Sequence, residues 1–131
     1  MSLHVCLLGF GEVGQTLAAD LRARVEGITA WDLKFAESSS TPMLAASRLG
    51  VVAAADARSA VAEADVVICA VTAAQIGEAA MSVAAHLKHD AYYFDLNSTS
   101  PAAKQAAAAL VDDAGGRFVE ARSCRRSRRL A

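Results

Sequence analysis

The sequence predicts an α/β fold: a doubly wound, mostly parallel sheet of about six strands with helices on both faces. Three observations predict it. Apolar runs of strand length alternate with helix-period segments up to about residue 121. Runs such as "VVICAV" are apolar at successive positions, as in strands buried on both faces. Helical connections between parallel strands cross over with a right hand, which places helices on both sides of the sheet.

Each element has a local reason. Leu3–Leu8 is an apolar run stopped by glycine and reads as a buried strand. Leu17, Leu21 and Val25 share one stripe of a helix over Gln15–Val25, with Gly27 as its stop. "ITAWD" is a second strand ending on Asp32, and "KFAESSSTP" is a polar loop. Thr41 as N-cap and Pro42 at the first position open a short helix that ends at Gly50. "VVAAA" is a third, weaker strand, and Ser59–Ala64 a short helix. The β-branched run 66–71 is the fourth strand. Thr72 and Gln75 form a capping box for a helix to about Leu87. "AYYFDLN" is the fifth strand, Pro101 opens an Ala-rich helix that stops at Gly115-Gly116, and "RFVE" begins a sixth strand.

The 131-residue chain suits one domain with one core. Hydrophobic content of 54% with only 5% aromatics means a core of Ala, Val, Leu and Ile. Residues 1–121 carry 8 Lys+Arg against 14 Asp+Glu, or −6, so the body is a poor nucleic-acid binder. Residues 122–131 carry 5 Arg and no acid, or +5. Cys6, Cys69 and Cys124 are scattered, without zinc or redox spacing, and Cys6 and Cys69 read as small buried hydrophobes. A reducing, cytoplasmic setting is expected. No segment has the length of a membrane span, and the N-terminus lacks the pattern of a signal peptide. His4, His86 and His89 have no ligand spacing and are expected at the surface; no metal is expected.

The chemistry is concentrated in "LLGFGEVGQTL", which is Gly9-x-Gly11-x-x-Gly14 between a strand and a helix. The first glycine permits a tight turn, the second a close backbone approach to a pyrophosphate, the third close packing of helix on strand. The helix N-terminus then offers free N–H groups to phosphates. The whole loop is assigned to cofactor binding: Gly9, Phe10, Gly11, Glu12, Val13 and Gly14. The Glu12 side chain is expected to point to solvent or to cap the helix. Asp32 stands 18 residues after Gly14, where a carboxylate accepts from an adenosine ribose and repels a 2′-phosphate. It also fits a turn-forming role. Lys34 could offset that repulsion, so NAD is favoured over NADP by a narrow margin.

Two further clusters fall at the carboxyl ends of strands, where such sheets line their ligand crevice. Val71 and Thr72 would face the cofactor, and Thr72 also fits as a helix cap. "DLNSTSP" supplies Asp95, Asn97, Ser98, Thr99 and Ser100. Asn97 and Ser98 are in reach of the nicotinamide ribose or substrate. Ser100 fits better as the N-cap before Pro101, and Asp95 fits as a turn residue. Lys104, on the helix beyond, is expected to be solvated. No catalytic residue is assigned.

"GFGEVGQTLA", "ADVVICAVTAA" and "FDLNSTSPAAKQ" together resemble the N-terminal Rossmann domain of the 6-phosphogluconate dehydrogenase and β-hydroxyacid dehydrogenase superfamily, over about residues 3–121. The resemblance implies NAD(P)-dependent hydride transfer on a small hydroxy acid. It implies a following all-helical domain that forms a homodimer and carries a catalytic lysine. It implies cofactor contacts at Gly9, Gly11, Gly14, Asp32, Val71, Thr72 and Asn97, and substrate-side contacts at Ser98 and Thr99. The chain departs from that pattern after Ala121, where the substrate segment, the lysine and the helical domain are absent. The expectation is therefore a domain at 1–121 that binds dinucleotide with little or no turnover; a stand-alone dinucleotide-sensing module is the alternative.

The tail "RSCRRSRRL" has three readings. GC-rich codons for it (CGG TCA TGT CGC CGG TCC CGC CGC CTG), read two bases later, give V-M-S-P-V-P-P. That is the segment the resemblance calls for at this place, so a shift of reading frame near residue 122 is the leading reading. A basic arm for anionic surfaces and an end without order are the others.

Overall fold

The structure is a computed structural model and describes residues 3–70, 81, 83–96 and 101–120. Six strands form one parallel sheet: β1 (His4–Leu8), β2 (Gly27–Trp31), β3 (Val52–Ala53), β4 (Val66–Cys69), β5 (Tyr92–Asp95) and β6 (Arg117–Glu120). Their order is β3-β2-β1-β4-β5-β6. The order reverses between β1 and β4, and this is the switch point at which such sheets open a crevice.

Alternation along β1 divides the core. Val5 and Leu7 point to one face, with Phe10, Ala18, Ile28, Ala30, Phe35, Ala45 and Ala46. Cys6 and Leu8 point to the other, with Val61, Val67, Cys69, Val83, Tyr93 and Val111. Helices α1 (Glu12–Leu21) and α2 (Thr41–Leu49) therefore cover the first face. Helices α3 (Ala57–Val61) and α4 (Pro101–Asp113) cover the second. Both faces are dry, which is why the strand segments read as apolar runs. The small alanines let the helices lie close to the sheet.

Several boundaries differ from the expectation. Helix α1 begins at Glu12, not Gln15, because the third glycine of the loop already belongs to its first turn, and it ends at Leu21 rather than Val25. Gly27 is the first residue of β2, not the helix stop. The loop after Asp32 contains a 3-10 turn over Leu33–Ala36. The N-cap of α2 is Ser40 rather than Thr41: the Ser40 Oγ accepts from the Met43 N–H at 3.4 Å and donates to the Lys34 carbonyl at 2.7 Å. Asp56, whose carboxylate accepts from the Ser59 N–H at 2.7 Å, starts α3 before Ser59. The capping box at Thr72 and Gln75 and the tail 122–131 lie outside the described residues.

Candidate functional site

The glycine loop is built by backbone demands. Gly9 has φ 94°, a left-handed conformation that side chains resist, and its N–H donates to the Trp31 carbonyl at 2.8 Å. The chain thus turns sharply as soon as it leaves the β1–β2 ladder. At Gly14 a Cβ would overlap the Gly9 carbonyl oxygen, so α1 lies against the loop only because this residue has no side chain. Gly11 differs from both. Among the described residues a Cβ there would meet nothing within 4 Å, and the residue is the N-cap of α1 with no side-chain cap. No packing within the described residues requires glycine at this position. The space it leaves lies at the free N–H groups of the first helical turn, where an anion is favoured.

The other loop residues have separate places. The Phe10 side chain is fully buried against the Phe35 ring, centroids 6.1 Å apart, so it anchors the loop and leaves only its main chain for a ligand. The side chains of Glu12 and Val13 are exposed, in line with a carboxylate turned to solvent. The Gln15 amide donates to the Phe10 carbonyl at 3.0 Å and braces the loop from inside the helix.

Asp32 joins the loop to β2. One carboxylate oxygen accepts from the Phe10 N–H at 2.7 Å, the other from the Lys34 N–H at 2.9 Å. The second bond is the turn-forming role expected from the sequence; the first ties the strand end to the glycine loop. A carboxylate has about four acceptor sites, so two remain for hydroxyl donors. The Lys34 side chain is exposed.

The opposite side of the switch point holds a group that sequence reasoning misplaced. Lys104 is not solvated: it is 4% exposed, and its ammonium lies 3.5 Å from the Asp95 carboxylate, itself 1% exposed. Asp95 is accordingly the buried last residue of β5 rather than a turn residue. The signal was present in the spacing, because Lys104, Ala107 and Val111 fall on the buried stripe of α4.

Cys6 and Tyr93 are locked away in the core. Burial, and then the neighbouring Cys69, push the Cys6 thiol far above its ordinary range. Burial does the same to the Tyr93 phenol, which shares a side-chain hydrogen bond with Cys69. A thiol held protonated is a poor nucleophile, so Cys6 is a core residue. Among the described residues no cluster of His, Cys, Asp or Glu could hold a metal ion, and no helix is long and apolar enough to cross a membrane. Val71, Thr72, Asn97, Ser98, Thr99 and Ser100 lie outside the described residues.

The profile of the NAD binding domain of 6-phosphogluconate dehydrogenase matches residues 4–122. The chain belongs to this family. Several solved structures share the fold closely. A conserved hypothetical protein from Sinorhizobium meliloti is 35% identical, with a TM-score of 0.82 over 92% of this chain and 41% of that one. The 3-hydroxyisobutyrate dehydrogenase of Mycobacterium tuberculosis is 25% identical, with a TM-score of 0.81 over 92% and 40%. A conserved protein of unknown function, described as structurally similar to 3-hydroxyacid dehydrogenases, is 31% identical, with a TM-score of 0.74 over 88% and 42%. No curated protein sequence matches the chain. The family assignment makes this an NAD(P)-binding Rossmann domain. The chain spans about two fifths of the length of these solved relatives.

Proposed function

We propose that this chain is the dinucleotide-binding domain of an oxidoreductase acting on a small hydroxy acid, that it prefers NAD to NADP, and that alone it turns over little or nothing. The observation that carries the reading is the open space at Gly11, set against the uncapped N-terminus of α1. A pyrophosphate suits that helix end in charge. In this reading the first-turn N–H groups bind it, Asp32 accepts from the adenosine ribose, and Val71, Thr72 and Asn97 border the nicotinamide half. Ser98 and Thr99 stand on the substrate side.

When bound, the cofactor supplies a hydride acceptor or donor. Hydride transfer also needs an acid/base placed beside the reacting carbon. Cys6 and Tyr93 are held protonated in the core, and Lys104 is buried against Asp95, so none of the three is offered for that part. In this reading the acid/base and most of the groups that choose the substrate belong to the portion of the relatives that this chain does not span. Calorimetric titration with NADH and NADPH, paired with a turnover assay on small hydroxy acids, tests the proposal. Tighter binding of NADH with no steady-state turnover is expected. Turnover by the 131-residue chain that is lost in Gly11→Asp would overturn the claim of inactivity.

A further inference from the structure

We infer that a second copy of this chain packs on the first face of β4, β5 and β6, sheet against sheet, as a weak two-fold dimer. Topology leaves that face bare. From β1 the chain steps outward through β2 to β3, and from β4 it steps the other way to β5 and β6. With right-handed crossovers the two runs place their helices on opposite faces. So α1 and α2 pack on the first face. Helix α4 packs on the second, with Val83 and Leu87, which lie between β4 and β5. Among the described residues no helix covers the first face of β5 and β6, although a parallel sheet calls for cover on both sides. Burial follows the same line. One register row on this face runs Val5, Val66, Tyr92, Arg117, and the next runs Leu7, Ile68, Phe94, Val119. Val5 and Leu7 are buried, Val66, Ile68, Phe94 and Val119 are half-buried, and Tyr92 is 42% exposed. Cys6, Val67 and Tyr93, in the row between, point to the second face and are buried throughout.

The chemistry of the face selects its occupant. It is an apolar sheet surface of Val66, Ile68, Tyr92, Phe94 and Val119, with the Tyr92 and Phe94 rings 6.2 Å apart. The charged residue in these two rows is Arg117. Its guanidinium lies 5.6 Å from the centre of the Tyr92 ring and 3.5 Å from the Asp90 carboxylate. Two such faces can therefore close on each other without stranding a buried charge. A patch that suits its own image fits a two-fold contact, in which both copies offer the same surface. Sheets stacked in this way lie about 10 Å apart. Size sets the strength. Three strands by two rows span roughly 10–15 Å each way, on the order of 200 Å². A stable pair buries about 800 Å² on each partner. The contact is therefore transient, and the dimer forms as concentration rises.

Sedimentation velocity of the full chain, from about 1 μM to about 1 mM, tests this across the range of weak contacts. The wild type should pass from monomer to dimer and stop there, because a two-fold contact closes at two copies. The dimer should persist at about 1 M salt, where the screening length is about 3 Å. Tyr92→Glu and Val119→Lys each set two like charges into the contact and should raise the dissociation constant at least about tenfold. Leu44→Glu alters an equally exposed apolar residue on α2 and should leave it unchanged. Thermal unfolding checks that each variant is folded, and if one face variant is not, the other decides. A wild type that stays monomeric to about 1 mM would overturn the inference and leave the face to another occupant, such as a helix of a different polypeptide. Growth beyond the dimer, loss of association in high salt, or association untouched by the folded face variants would overturn it as well. No readout here depends on NADH, so the dinucleotide reading stands or falls separately.

Discussion

The two halves of the sheet present their carboxyl edge by different means. On the β1–β2 side the work is done by main chain. Gly9 turns, Gly14 lets the helix close in, and Asp32 accepts one backbone N–H bond from Phe10 that holds the loop to the strand and one from Lys34 that shapes the turn after it. On the β4–β6 side a buried pair of opposite side chains ties helix to strand. The first device rests on main-chain geometry, a left-handed turn at Gly9 and a close approach at Gly14 that a side chain would block. The second rests on side chains and depends on two charges remaining matched. The difference teaches where each half should fail: the first by steric conflict, the second by loss of a partner.

The largest expected effect is on the second half. Lys104→Met leaves the Asp95 carboxylate buried without its ammonium and should cost about 3–5 kcal/mol, read from urea unfolding. A loss of less than about 1 kcal/mol would mean that the pair is solvated and the contrast between the halves is false. Next comes the first half. Gly14→Ala drives a methyl into the Gly9 carbonyl and should cost about 1–3 kcal/mol, although alanine is the better helix former. Gly9→Ala should cost about 1–2 kcal/mol from its φ of 94°.

A smaller change is expected at Asp32, through the ligand rather than the fold. Asp32→Asn removes one charge that repels a 2′-phosphate and one acceptor for a main-chain N–H. The ratio of NADPH to NADH affinity should rise about tenfold, the scale of one charge-assisted hydrogen bond. An unchanged ratio would remove Asp32 from cofactor choice and leave it a turn residue.

The smallest effect concerns the opposite edge, shared by both halves. Asp65 accepts from the His4 N–H at 2.9 Å and from Lys88 at 2.7 Å, and these bonds hold its carboxyl below the usual carboxylate range. A lowered folded-state value means stability that is present at neutral pH and lost as pH falls through that range. The pair is partly exposed, so the gain is small. The denaturation midpoints of wild type and Asp65→Asn should differ slightly at neutral pH and converge once pH falls below the usual carboxylate range. Persistent separation there would assign the difference to packing.

Much of this was legible in the sequence, and for a physical reason. Strands buried on both faces are apolar at every position, and the glycine loop follows from backbone sterics, so both can be read residue by residue. The helix starts were less legible. Ser38, Ser39, Ser40 and Thr41 offer four adjacent cap residues, and it is the bond from Ser40 to the Lys34 carbonyl that selects one. Asp56 was missed as a cap because the alanines around it carry no period. Lys104 was misread because a lysine is exposed by default; its burial is decided by Asp95 on another element.

The most direct test of the central claim is a calorimetric titration of NADH into the wild-type chain and into Gly11→Val. A Cβ at Gly11 meets no atom of the described residues within 4 Å, so the variant should unfold within about 1 kcal/mol of wild type. If that space is where a pyrophosphate sits, the wild type binds and the equally folded variant does not. Equal binding by the two, or none by the wild type, would contradict the account.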